Sequence, residues 1–267
     1  MQTTMYRRGL CALILVVSGM IGSAGATSAN TDVSDIWWNP AEDGWGMQMV
    51  NTGTFVFATV YVYGLNGAPT WFTGQLEKTG AAQTTYAGPL YATTGPYFGG
   101  PFNPAAVTAR RVGSMSFVLT SVSNGQLNYS VDGVPVSKLV QRQTLTFDNY
   151  AGDYNVVTTQ TTTGCVNAVD NGSFSGTSAL DVSHSGQFMT LINTYRDNSS
   201  CSYSGTYSQR GRMGQVAGSY ACTWGEVGTM TFFEMSNVPY MFTARMQSNS
   251  SNFGCNTEAE IAGVIPR

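Results

Sequence analysis

Two adjacent carboxylates, Glu42 and Asp43, sit inside a run of aromatic and turn-forming residues, Ile36-Trp37-Trp38-Asn39-Pro40-Ala41-Glu42-Asp43-Gly44-Trp45-Gly46. Paired carboxylates suit glycoside hydrolysis, but acid and base must stand ~5–10 Å apart across a bond, and nothing assigns a distant second carboxylate. The pattern offers binding instead. Trp38, Trp45 and Trp71 would present a flat platform to a sugar ring or another apolar-faced ligand, with Glu42 and Asp43 accepting hydrogen bonds from its hydroxyls. The competing reading has Trp37, Trp38 and Trp45 plugging one end of a barrel, because large aromatics mostly bury area. Asp181-Val182-Ser183-His184 holds the one histidine of the chain. An Asp and a His are two members of a triad, but no G-x-S-x-G elbow presents a serine, so His184 reads as a turn residue. No P-loop and no strand-to-helix G-x-G-x-x-G occurs. Neither a catalytic residue nor a cofactor is expected.

A further polar pair lies in otherwise apolar strands. Met230–Met235 and Tyr240–Met246 read as hairpin partners, carrying Glu234 and Arg245. A turn at 236–239 would pair Glu234 with Met241 and set Arg245 opposite Met230. Facing a barrel cavity, an Arg would hold an anionic, lipid-like head group; otherwise the two satisfy each other as an ion pair.

The cysteines define a compartment. Residues 1–26 read as an export signal: Arg7 and Arg8, the apolar run Leu10–Met20, then Ser23-Ala24-Gly25-Ala26 before cleavage. That run is too short for a helical span of ~20 residues, and no later segment is apolar enough. Cys11 leaves with the signal, and Cys165, Cys201, Cys222 and Cys255 remain. An even count in an exported chain implies two disulfides. Without a C-x-x-C pair, a metal site is not expected. Cys201 and Cys222 bracket a hairpin turning at Arg210-Gly211-Arg212-Met213. Cys165 follows the first strand of its domain, and Cys255 precedes the last. Barrel closure would bring those two together. The rival pairing is Cys165–Cys201 with Cys222–Cys255. The expected location is periplasmic or secreted.

Composition narrows the function classes. Charged residues are 10% of the 267, net charge is −3, and only Lys78 and Lys138 are lysines. No basic stripe offers itself to phosphates, so nucleic acid is not an expected partner. Aromatic residues at 12% supply apolar surface enough to fold.

The elements that must position these residues are strands. Short runs rich in Thr, Val, Tyr and Phe, broken by Gly and Asn, fall near 46–51, 54–63, 70–78, 83–92, 107–121, 126–132 and 135–145. The run 107–121 reads as one strand or as two split at Gly113. Asn66-Gly67 suits a type I′ hairpin turn, pairing Tyr63 with Thr70 and Tyr61 with Phe72. That register puts Trp71 beside Val60 and Val62, with Trp37, Trp38 and Trp45 folded over the same face. Eight further strands start near 152, 173, 187, 201, 215, 228, 240 and 258. The expected fold is all-β: two antiparallel meander barrels or sandwiches, at 27–148 and 149–267. The second is expected to be an eight-stranded barrel of lipocalin or streptavidin type. Strand 54–63 is apolar on both faces. It therefore needs a cover beyond its own core: the second domain, the 37–45 loop or another copy of the chain in a homo-oligomer.

The order W-W-N-P-x-E-x-G-W-G, aromatic strand, then Gly67-Ala68-Pro69-Thr70-Trp71 resembles a module of exported proteobacterial proteins that are mostly uncharacterised. The resemblance spans about residues 36–75. It implies a bacterial envelope or secreted β-module and brings no activity with it. The leading expectation is a non-enzymatic exported binding protein. A lipocalin-like carrier of a small apolar or anionic lipid-like molecule is the alternative, followed by a structural or assembly factor and last by a hydrolase.

Overall fold

The computed structural model describes residues 31–79, 84–238 and 240–266. The expected signal segment, 1–26, lies outside them. Two closed barrels of eight antiparallel strands follow one another along the chain. The first runs β1 (Asp35–Trp38), β2 (Gly46–Asn51), β3 (Val56–Tyr63), β4 (Pro69–Thr79), β5 (Thr85–Thr94), β6 (Thr108–Leu119), β7 (Asn124–Val131) and β8 (Val134–Arg142). Pairing of Trp37 with Arg142 and of Trp38 with Gln141 closes it. The second runs β9 (Gly152–Thr163), β10 (Gly172–Ser185), β11 (Phe188–Thr194), β12 (Ser200–Arg210), β13 (Met213–Cys222), β14 (Val227–Val238), β15 (Met241–Ser250) and β16 (Asn256–Val264). Here β16 returns to β9, from Asn256 opposite Thr163 to Val264 opposite Asn155. Closure removes most free sheet edges, and strict neighbour-to-neighbour order keeps most connections short.

Alternation decides what fills each barrel. Along β3, Val56, Ala58 and Val60 are buried while Phe57, Tyr61 and Tyr63 are exposed. The first interior also takes Trp37, Met47, Met49, Leu76, Tyr86, Leu90, Phe117 and Leu127. Glycines let the strands approach: a Cβ on Gly113 would stand 2.0 Å from the Ser130 carbonyl oxygen. Gly113 thus bends one continuous β6 and does not split it.

Three sequence expectations change. Strand β1 forms within a segment read as loop, with Trp37 in the core. The β3–β4 hairpin is shifted by one residue, Tyr61 facing Trp71 and Tyr63 facing Pro69. The Gly64 amide donates to Ala68 O, and Gly67 sits at φ +71°. The loop therefore takes three residues, Leu65-Asn66-Gly67, where a type I′ turn would take two. A one-residue slip reverses every facing, so Phe72 goes inward and Trp71 outward. Third, Val238 of β14 stands opposite Met241 of β15, and a bulge follows Phe233. Glu234 takes φ +51° there, and Phe233, not Glu234 or Met230, sits at the register of Arg245.

The barrels join through a polar seam. Arg142 is buried among Asp35, Ser34 O, Asp32 O and Val122 O, with its guanidinium 4.7 Å from the Trp37 ring centre. From the second barrel, the Arg212 amide donates to Asp35 Oδ2 at 3.1 Å, and its guanidinium pairs with Asp32. Burial alone would raise the Asp32 carboxyl. The Ser34 amide and hydroxyl together with Arg212 outweigh that and hold it below the usual carboxylate range. The Tyr150 side chain, from the connection, plugs the near end of the second barrel, donating to Met235 O at 3.1 Å.

Candidate functional site

The near end of the second barrel is packed shut by Tyr150, Tyr154, Tyr207, Val216, Met235 and Phe242. His184 belongs to this base. Its Nδ1 accepts from the Tyr150 amide at 3.2 Å, and its ring lies 4.5 Å from Tyr207. Asp181 is one register position from Val182 on an outward face, so Asp181 and His184 do not face each other as triad partners.

The far half is open. A cavity of about 810 Å³ is lined by inward residues of β9 (Val156, Thr158, Gln160), β10 (Phe174, Gly176, Ser178, Leu180), β11 (Asn193), β12 (Tyr203), β14 (Phe232), β15 (Met246) and β16 (Ile261). It is apolar and aromatic in its depth and more polar towards the mouth. The mouth is asymmetric because β10 pairs with β11 only from Ala179 onwards, while its earlier part pairs with β9 alone. Strand β10 thus overruns β11, and Phe174 is exposed at the opening. The adjoining lip is the turn at Tyr195–Ser199 together with Trp224.

Each lip is held in place. Tyr220 Oη and Trp224 Nε1 donate to the two oxygens of Glu226, at 2.8 and 3.1 Å, which fixes the indole. Tyr195 and Trp224 rings lie 5.8 Å apart. Asp197 accepts from the Ser199 amide and hydroxyl, and the hydroxyl first among these bonds holds its carboxyl low. Arg196 donates to Thr177 Oγ1 of the adjoining β10 at 2.9 Å. Both disulfides staple this end: Cys201 to Cys222, directly opposite each other, and Cys165 to Cys255 across the closing seam. These are the pairs expected from strand register. Burial pushes the phenols of the wall up, Tyr203 well above its ordinary value and Tyr220 to about 12, with Glu226 adding to the latter. Among the lining residues the formally charged side chains are Arg196 and Asp197, both at the lip.

The structure disperses the residues of the expected tryptophan site. Trp37 is core. Trp45 is half-buried against the far end of the first barrel, its Nε1 donating to Glu42 at 2.9 Å. Lys138 reaches Glu42 at 2.8 Å and stands 5.8 Å from the Trp45 ring centre. The Lys138 and Trp45 bonds hold the Glu42 carboxyl low. Trp45 and Glu42 thus form a latched plug, and Asp43 is exposed beside it. Trp38 and Trp71 are on the outer wall, separated by β2 and β3 at roughly 14 Å for three strand spacings. Trp71 is opposite Tyr61, and both are about half exposed. The four indoles expected together are not together.

Glu234 and Arg245 do pair, at 3.8 Å, but outside the cavity. Phe242, Ala244 and Met246 of β15 are buried in the core, so Arg245 between them faces outward, over the Phe233 ring at 5.1 Å. Glu234 also accepts from the Thr31 hydroxyl, so it serves the seam between barrels. Sequence reasoning missed Asn193, Tyr195, Tyr203 and Trp224. The signal for Asn193 and Tyr203 was strand parity: each falls in step with buried neighbours, Met189 and Leu191 in β11, and Cys201 and Tyr207 in β12.

Comparison of the chain with protein-family models gives no match, and comparison with curated proteins gives none either.

Proposed function

We propose that this chain is an exported, non-enzymatic binding protein whose second barrel carries a small, mainly apolar molecule. One observation carries the reading: the cavity of about 810 Å³ at the open end of a barrel whose other end is packed shut. Pockets for small ligands span ~300–1,000 Å³, with apolar and aromatic walls and a few placed polar groups. The lips are fixed by Glu226, Asp197 and two disulfides, so the site is formed before ligand arrives, which lowers the entropy lost on binding. The disulfides and the Arg7/Arg8–apolar–small-residue pattern at 1–26 support export.

The test is titration with the neutral fluorescent probe N-phenyl-1-naphthylamine. Its emission should rise saturably on adding the oxidised protein. Gly176→Trp is the cavity-filling control, because a Cβ at Gly176 meets no atom within 4 Å. That variant should keep its thermal midpoint and lose the probe. Saturable binding undiminished in the variant would refute the assignment.

A second reading rests on the Tyr61–Trp71 pair. Two cross-strand aromatics, each about half exposed on the first barrel's outer wall, form a flat surface of the kind that stacks on a sugar ring. Trp71→Ala should then abolish glycan retention while leaving the probe titration unchanged.

A further inference from the structure

Among the described residues, two buried side-chain polar atoms lack a hydrogen-bond partner, Trp38 Nε1 and Asn193 Oδ1. The second belongs to the cavity wall. Asn193 is 9% exposed and lies in β11 between Leu180 of β10 and Cys201 of β12. Its neighbours in step along β11, Met189 and Leu191, are apolar and buried. A carboxamide oxygen buried without a partner in such surroundings is unfavourable relative to an apolar group of the same size. Packing alone therefore gives no reason for Asn at this position, and Leu would fill the space.

We infer that the ligand is uncharged and carries a hydroxyl or amide group that hydrogen-bonds the Asn193 carboxamide. The inference rests on the cavity reading above. A carboxamide has an acceptor and a two-proton donor at one site. Rotation about its last side-chain bond exchanges them within the same volume. A hydroxyl both donates and accepts, so it meets either orientation. Charge is disfavoured for a separate reason. The charged lining groups, Arg196 and Asp197, are at the lip and are bonded to Thr177 and Ser199. A ligand charge brought deeper would lose water and gain no counter-ion.

The experiment is equilibrium dialysis of the oxidised full chain against 2-naphthol, 2-methylnaphthalene and 2-naphthoate at pH 7.5. Comparing wild type with Asn193→Leu cancels the different hydrophobicities of the first two. The preference for 2-naphthol over 2-methylnaphthalene should fall at least about tenfold in the variant, equivalent to ~1.4 kcal/mol. An unchanged preference would overturn the Asn193 assignment. In wild type, 2-naphthoate should bind at least about tenfold more weakly than 2-naphthol; equal or tighter binding would overturn the uncharged assignment. A wild-type measurement stands beside the variant in case Asn193→Leu does not fold. The Asn193 side-chain NH₂ resonances should move more with 2-naphthol than with 2-methylnaphthalene, and equal shifts would overturn the hydrogen bond. Failure of all these compounds and of N-phenyl-1-naphthylamine to bind would remove the cavity reading as well. Binding of that probe without a hydroxyl preference would remove this inference alone.

Discussion

Arg142→Met tests what holds the first barrel's near end together. The Arg142 side chain is 0% exposed and its partner Asp35 is 8% exposed. Nε donates to Val122 O at 2.7 Å, Nη1 to Asp35 Oδ2 at 2.9 Å and Nη2 to Asp32 O at 2.5 Å. Burial pulls the guanidinium pKa below its usual value, with Asp35 opposing that shift. Methionine keeps most of the side-chain volume but leaves Asp35 with only the amides of Ile36 and Arg212, and it strips three carbonyls of a donor. Removing one member of a buried ion pair costs about 3–5 kcal/mol. At roughly 4 °C per kcal/mol for a domain of this size, the midpoint should fall by about 12–20 °C. Intrinsic fluorescence reads this barrel directly, because Trp37, Trp38, Trp45 and Trp71 are in it, and a Trp224→Phe background removes the remaining indole. Arg142→Met/Asp35→Leu should recover part of the loss, since deleting both charges of a buried pair is often nearly neutral. A fall of less than about 4 °C for the single variant would refute the reasoning. It would mean that desolvating the guanidinium already cancels what its partners supply.

Other outcomes follow from the same structure. Gly113→Ala should destabilise the first barrel by about 1–3 kcal/mol, because the added carbon meets the Ser130 carbonyl at 2.0 Å; a urea melt with unchanged midpoint would contradict it. Of the disulfides, Cys165–Cys255 closes a separation of 90 residues and Cys201–Cys222 one of 21. Chain entropy assigns them about 4.6 and about 3.3 kcal/mol. Paired Cys→Ala variants followed by hydrogen exchange of the second barrel should keep that order, and the reverse order would show that packing around the more buried Cys201–Cys222 pair dominates. In alkali, burial holds the phenols of Tyr207 and Tyr220 protonated up to about 12. Their raised values stabilise the native state fully below the unfolded tyrosine value near ~10, and that contribution is lost as pH rises through about 12. Tyrosinate absorbance at 295 nm should therefore rise together with loss of hydrogen-exchange protection in the second barrel. Full ionisation of a still-protected barrel would oppose this.

How much was legible depended on the range of the interaction involved. The period-two alternation of Val, Thr, Tyr and Phe between glycine and asparagine turns marked most of the strands, because side-chain facing is a local property of extended chain. Spacing alone set Cys201 against Cys222, because a symmetric hairpin turning at Gly211-Arg212 leaves one register. The pairing of Cys165 with Cys255 followed from closing a meander of eight strands.

Register across the less regular turns was not local. Whether Gly67 is the second residue of a two-residue turn or the last of three differs by one residue in the loop. That one residue carried Trp71 from the expected inner face to the outer wall. A bulge at Glu234, which takes a left-handed backbone conformation, likewise put Phe233 opposite Arg245, whose outward facing follows from the alternation of β15. The cavity depended on still longer-range facts: Tyr150 from the connection fills one end, β10 overruns β11 at the other, and the glycines let strands close. The amino-acid sequence by itself determined the strand periodicity, the cysteine framework and the low overall charge. Only the tertiary structure decided which barrel is filled and which is open, because volume left over inside a closed sheet is the sum of side chains from eight strands and is written in no one of them.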